Sequence, residues 1–175
     1  MSSGRREICR CRYRRDRLVT LFEQYSGVIR VRVAALIIRE EQLLLVKQKV
    51  PVRTRPVWLP PGGGIEIGEA AEEALVREVA EETGVQIRPL KLRYIHEFIQ
   101  DTFHAYELYY TAEVVGGVLK KGGDPEHSPE EQLISSVAWM PINQLSDIEL
   151  FPHFLRDELA GNNLSDNRIS HFSTR

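Results

Sequence analysis

Scarcities narrow the class of this chain before any motif is considered. It has only two cysteines, Cys9 and Cys11. With no second pair they lack the ligands of a structural zinc site, and they read as free thiols. Long apolar runs are missing too. Stretches such as Val33 to Ile38 and Leu43 to Val46 fall far short of the roughly 20 residues of a spanning helix, so no membrane partner is expected. No apolar segment follows the basic start, which argues against a secretory signal, and Glu7 and Asp16 interrupt what would otherwise resemble a transit peptide. Cytoplasm is the expected location. There is also little excess of either charge: the net charge is −2 with 27% charged residues. That balance argues against a general nucleic-acid or membrane-surface binder.

What is present suits one globular domain, since 175 residues with 42% hydrophobic content can bury one core. Charge is unevenly placed. Arg5, Arg6, Arg10, Arg12, Arg14, Arg15 and Arg17 crowd the start, an arm able to touch phosphates. Leu18, Leu21, Phe22 and Tyr25 then recur with helical spacing, predicting a short amphipathic helix ending near Gly27. VIRVRVAALII and QLLLVKQK read as strand, turn and strand, and Pro51, Pro56, Pro60 and Pro61 break the next stretch into a loop. Two further strands, KLRYIHEFIQ and FHAYELYYTAEVV, meet at Asp101-Thr102, with Tyr106, Leu108, Tyr110, Ala112 and Val114 expected on a core face. Gly116-Gly117 and Gly122-Gly123 are expected to flank a short strand pair. A polar loop, the strand LISSVAWM and a helix from Pro152 to just before Gly161 complete the predicted order. From Asn162 onward the sequence is polar and predicts poor order.

The densest information lies between Gly63 and Val85, GGIEIGEAAEEALVREVAEETGV. A helix is predicted over about Glu69 to Thr83, entered through glycines and closed by Gly84, with Ala71, Leu75 and Val79 as its inner stripe. Glu78, Glu81 and Glu82 fall at i, i+3 and i+4 and share an arc of about 100°. Carboxylates stacked this way repel each other or take up protons, and a hard divalent cation with oxygen ligands relieves both costs. Ala70 and Ala74 are expected to leave that side open. Glu72 and Glu73 read instead as first-turn charges suited to the helix dipole.

The ordered set Gly63, Glu69, Arg77-Glu78-Val79, Glu81-Glu82 and Gly84-Val85 resembles the Nudix box of the Nudix hydrolase family at every fixed position. Trp58 and Pro61-Gly62-Gly63 resemble the residues that commonly precede that box, while Pro60 departs from the usual apolar residue and bears on the local loop shape. The resemblance covers roughly Val28 to Leu159. It implies an α/β (α+β) Nudix fold, a mixed β-sheet sandwiched between helices, over residues 28–160. Residues 1–27 would then be a basic N-terminal arm with its short helix, and 161–175 a polar C-terminal tail.

The resemblance further implies Mg2+-dependent hydrolysis, with Mn2+ as a substitute ion. The substrate would be a small nucleoside diphosphate derivative such as a nucleotide sugar, ADP-ribose or a modified nucleoside triphosphate, attacked by water at phosphorus. Glu78, Glu81 and Glu82 would hold the metal, completed by a backbone carbonyl near Gly62 or Gly63, with Gly63 assigned to the metal and Gly62 to the substrate side. Glu69 and Arg77 would keep loop and helix in register. Family analogy also implies a homodimer. Two other readings stay open: an RNA 5′-end pyrophosphohydrolase using the arginine-rich arm, and a nucleotide-sensing domain without turnover. The last usually has an eroded box, and this box is intact.

Candidates outside the box are less determined. Arg53 and Arg55 in the loop before Trp58 are placed to grip a phosphate, or are simply solvated. Trp58, Tyr94, Phe98 and Tyr106 suit either base stacking or the core. For the general base, a box glutamate competes with Asp124, Glu126, Glu130 and Glu131 of the loop before Trp139, and with Glu97. Glu131 is also assigned to the substrate side, although Ser128-Pro129-Glu130-Glu131 equally fits a helix capping box. His96, His104 and His153 have no metal-like pairing and read as ordinary polar residues.

Overall fold

Directly after Gly27 the chain enters a strand whose two sides are both buried, and this one feature organises the rest. A computed structural model describes residues 27–50, 55–122, 133–161, 163–165 and 168–175. The arginine-rich arm, the amphipathic helix expected after it, Arg53 and the loop residues Asp124, Glu126, Glu130 and Glu131 lie outside the described residues. β1 runs over Ile29–Arg39. Its Val33, Ala35 and Ile37 pack into one core, and Ala34 and Leu36 into another. A strand covered on both sides needs an unbroken apolar run, which is why VAALII does not alternate.

The remaining strands are β2 (Gln42–Gln48), β3 (Val57–Leu59), β4 (Val85–Gln100), β5 (Phe103–Gly117), β6 (Ile134–Pro141) and β7 (Ser170–Thr174). They form a mixed sheet in the order β3-β2-β1-β5-β4-β7, with β6 also paired to β2. β1 lies parallel to β5, and β4 is antiparallel to β5. Against β2, however, β1 pairs only at Ile38↔Leu43 and Arg39↔Gln42 before the two strands part. The glycine segment fills the gap that this fork leaves. Val33 N–H donates to Gly63 O (2.9 Å), Ala35 N–H to Pro61 O (2.9 Å) and Ile65 N–H to Val31 O (3.1 Å). Gly62, at φ +150°, passes so close to β1 that a Cβ would run into the Val33 carbonyl.

Helix α1 (Ala71–Thr83) covers one side of the sheet with Ala74, Leu75 and Val79. On the other side lie the 3-10 helix Ile142–Asp147 and α2 (Phe154–Ala160), through Leu145, Leu155 and Leu159. At the start of α1, Ala70 has no side-chain acceptor to offer, and Glu73 reaches back to accept its N–H at 3.0 Å. At the end, Gly84 takes the left-handed conformation (φ 70°) and donates to Ala80 O at 2.9 Å. Among the described residues no helix is long and apolar enough to cross a membrane.

Four local expectations need correction. The residues from Asn162 do not form an unordered tail throughout: β7 pairs in parallel with Tyr94–Phe98 of β4. Arg93 donates to the carbonyls of Asn163 and Arg168, and Phe172 stacks on Phe154 at 4.1 Å. Instead of a strand pair, residues 118–122 wrap the end of α1, where Lys120 N–H and Gly122 N–H cap the carbonyls of Thr83 and Glu82. On the expected core face of β5, Ala112 is buried with Leu108, Tyr110 and Val114 packed against the same core, but Tyr106 is bonded to Glu97 instead, and the opposite face is buried too, through Phe103, Ala105 and Tyr109. Ala74 is fully buried in the core, so it does not line the open side of α1.

The order of the final strand has a measurable consequence. Phe172→Ala removes a ring stacked on Phe154 and set edge-on to Tyr94. It should lower stability in urea unfolding by about 1–3 kcal/mol, less than a fully buried phenylalanine would cost. An unchanged midpoint would mean that the segment contributes no packing.

Candidate active site

Three glutamates on one helical face must each find a partner, and the structure provides two: a backbone N–H for Glu82 and one arginine nitrogen for Glu78 and Glu81. Glu82, only 7% exposed, accepts the Gly62 N–H at 2.9 Å. Glu78 accepts from Arg77 Nη1 at 3.0 Å, and Glu81 sits 3.5 Å from the same nitrogen. The helical period puts the three glutamates on one side of α1, and the glycine segment beside β1 lies against Glu78 and Glu82. Gly63 is essential to that wall, because a Cβ there would occupy the space of the Glu78 carboxylate.

Arg77 is the hub. Its Nε and Nη2 grip Glu69 in a two-pronged bond of 2.8 and 2.9 Å, and Nη2 also donates to Gly64 O at 3.2 Å. Glu69 in turn accepts the Glu66 N–H at 3.1 Å, which fastens the turn before the helix. The Arg77 hydrogen bonds, with help from that N–H, lower the Glu69 carboxyl from its ordinary 4.5 to about 2. The Arg77 guanidinium is held still more firmly in its charged form by Glu69. Glu78 moves the other way: burial raises its proton affinity, outweighing the pull of Arg77 and Arg32.

The two backbone carbonyls expected to serve the metal, at Gly62 and Gly63, stand differently, and Gly63 is the more engaged. Its carbonyl accepts the Val33 N–H and Pro61 O accepts that of Ala35, so β1 engages both. Between them the Gly62 carbonyl makes no backbone hydrogen bond to β1 among the described residues and accepts from Arg32 Nη2 at 3.4 Å. Strand alternation therefore turns Gly62, and not Gly63, away from the ladder. Oxygen donors from Glu78, Glu81, Glu82 and Gly62 are the right chemistry for a hard divalent cation. Among the described residues no group of three or more acidic, histidine or cysteine side chains is arranged to hold a metal ion. The glutamates have Arg77 and a backbone N–H as their counterparts.

Other candidates fall elsewhere. Arg55 is exposed, and Arg53 and Glu131 lie outside the described residues. The half-buried Trp58 packs on the core beneath α2 with Lys47 over its ring at 5.6 Å. Tyr94 and Phe98 are buried in the core. Glu97 is occupied by Tyr106 Oη (2.6 Å), His104 Nε2 (3.1 Å) and Ser173 Oγ (3.4 Å), with Tyr106 the main cause of its lowered proton affinity. His96, read from sequence as an ordinary polar residue, is fully buried between Glu107 and Thr174. Sequence reasoning missed Arg32 and Glu107 altogether. The one available signal was charge alternating with valine in a strand otherwise destined for the core.

Comparison with known proteins agrees with this geometry. A family model described as NUDIX domain matches residues 28–159. The chain is 33% identical over 100 residues to the ADP-ribose pyrophosphatase of Methanocaldococcus jannaschii, covering 56% of this chain and 59% of that one. It is 31% identical over 127 residues to the NAD-capped RNA hydrolase NudC of Pectobacterium carotovorum, covering 72% and 44%. The chain thus spans about half the length of the curated relatives it matches. A solved structure titled NUDIX hydrolase from Nitrosomonas europaea superposes with a TM-score of 0.62 at 24% identity, covering 81% of this chain and 93% of that one, which shows the fold.

The Glu69–Arg77 pair predicts how the molecule responds to acid. A carboxyl whose affinity for protons falls on folding adds stability above its unfolded value of 4.5, and that stability is lost as pH falls towards about 2. Thermal unfolding of the wild type should therefore weaken through this window more than that of Glu69→Gln. Parallel acid limbs for the two proteins would contradict the pairing.

Proposed function

This chain belongs to the Nudix family, and on that premise we propose that it is a divalent-metal-dependent pyrophosphohydrolase acting on a small nucleoside diphosphate derivative. One observation carries the reading: the Gly62-Gly63 segment lies against the glutamate face of α1, with Gly62 N–H on Glu82 and the missing Gly63 side chain making room for Glu78. Mg2+ fits this all-oxygen donor set, with Mn2+ as a close substitute. Glu78, Glu81, Glu82 and the Gly62 carbonyl would hold it. Bound there, the ion supplies neutralisation of the diphosphate and of the charge that develops as water attacks phosphorus.

The chain's own residues do the rest. We assign the proton of the attacking water to a box carboxylate, Glu78, which faces the loop at Gly63. Arg77 keeps Glu78 and Glu81 side by side, and Glu69 locks Arg77. Glu82 ties helix to loop. For the substrate, the similarity to a protein named ADP-ribose pyrophosphatase favours a nucleoside diphosphate joined to a sugar.

Purified protein incubated with Mg2+ and a panel of ADP-ribose, nucleotide sugars, modified nucleoside triphosphates and 5′-capped RNA tests the proposal directly. Cleavage at the diphosphate of a small nucleotide is expected. Action on RNA alone, or on nothing, would refute it. Glu78→Gln should lower kcat by about two to four orders of magnitude while far-UV circular dichroism stays unchanged. Gly63→Ala, which crowds the Glu78 carboxylate, should weaken Mn2+ binding about tenfold or more in a titration followed by electron paramagnetic resonance.

A further inference from the structure

Arg32 approaches the site from the side of the sheet opposite α1. On β1 it shares a face with Ala34 and Leu36, whereas Val33 and Ala35 face α1. Its side chain is only 18% exposed. Nη2 donates to the Gly62 carbonyl at 3.4 Å, Nη1 lies 4.0 Å from Glu107 Oε1, and the buried Nε has no hydrogen-bond partner. Behind it, Glu107 Oε2 accepts from Tyr109 Oη at 2.9 Å and meets His96 Nδ1 at 3.0 Å. His96 Nε2 in turn lies 3.0 Å from Thr174 Oγ1 in β7.

An arginine kept only to neutralise Glu107 would take the short, two-pronged geometry that Arg77 takes with Glu69. Arg32 does not. Glu107 gives Oε2 to His96 and Tyr109, and Oε1 stays at the outer limit of an ion pair. The hydrogen bond of Arg32 goes to the loop carbonyl that β1 leaves unengaged, between two carbonyls that β1 holds. Leaving a buried Nε without a partner is costly, so the placement needs a return other than the stability of the pair. Glu107 also offsets the guanidinium charge, which lets Arg32 brace the carbonyl without acting as a rival cation.

We propose that Arg32 is a positioning residue that aims the Gly62 carbonyl at the divalent cation, and that the Glu107–His96–Thr174 chain, with the fully buried His96 at its centre, holds Arg32 in place. This rests on the metal-dependent reading given above. It links the last strand of the fold to the metal-binding loop through side chains alone.

The test is Mn2+ titration of the full chain followed by electron paramagnetic resonance, with urea unfolding in metal-free buffer alongside. Arg32→Met should weaken Mn2+ binding about 10- to 100-fold, as loss of an outer partner of a metal ligand does. Arg32→Lys should recover part of the loss. Glu107→Gln should weaken binding in the same direction, and adding it to Arg32→Met should cost little more, because the two act as a unit. In amide spectra the Gly62 and Gly63 signals should shift in each variant. A folded Arg32→Met protein with wild-type Mn2+ affinity would overturn the proposal, as would full additivity in the double variant. Should Arg32→Met not fold, unchanged affinity in both Arg32→Lys and Glu107→Gln would overturn it equally. A wild type that binds no Mn2+ removes the metal-dependent reading and this inference with it; a wild type and Arg32→Met that bind alike remove this inference alone.

Discussion

The whole site depends on one guanidinium. Arg77 faces Glu69, Glu78, Glu81 and the Gly64 carbonyl at once, so a single planar cation fastens the loop, the start of the helix and two of its three stacked carboxylates. A lysine would supply the charge but not the rigid fork that meets both Glu69 oxygens while a third nitrogen reaches Glu78. This solves a problem that the sequence creates for itself. Carboxylates at i, i+3 and i+4 repel, and a helix carrying them needs a counter-charge already built in if it is to fold before any ion arrives.

The second requirement is topological. β1 and β2 part after two residue pairs, and the edge that β1 thereby exposes is occupied by the glycine segment instead of another strand. An open strand edge is costly or adhesive. Here it becomes a mould for the loop. Pairing alternate carbonyls of residues 61–63 with β1 leaves the middle one, at Gly62, facing the other way, and the absence of a Cβ at Gly62 and Gly63 lets the backbone slip between β1 and α1. The same fork therefore sets both the backbone donor and the distance between loop and helix.

This division explains what could be read from sequence. The glutamate face and the Gly84 stop follow from helical spacing over a few turns, while the Arg77–Glu69 clasp came only from the resemblance to the Nudix box; the structure has Arg77 on Glu69 and Gly84 at the end of the helix. Burial across the sheet was misjudged where both sides of a strand are covered. Alternation in β5 suggested one core face, yet Tyr109 and Ala112, three residues apart, are both buried. Features that depend on distant partners left almost no local trace. Strand β7 is short and polar in sequence, and only Phe172 against Phe154, with the Arg93 bonds to Asn163 and Arg168, explains why it is ordered. The choice of Gly62 over Gly63 as the outward carbonyl depends on register against β1, which spacing within the box does not encode.

Charge placement also sorts the parts of the site by what they do for stability. Glu69 is more acidic folded than unfolded, so its ionised form favours the native state. Burial makes Glu78 less acidic, and its ionised form works against folding above its unfolded value. The two lie on opposite sides of the same arginine, one stabilising and one strained. A scaffold that holds a reactive carboxylate in place must offset that strain nearby, and the Glu69 clasp does so within one helical turn and the loop before it. A cation bound at Glu78 would reverse the sign of that second contribution.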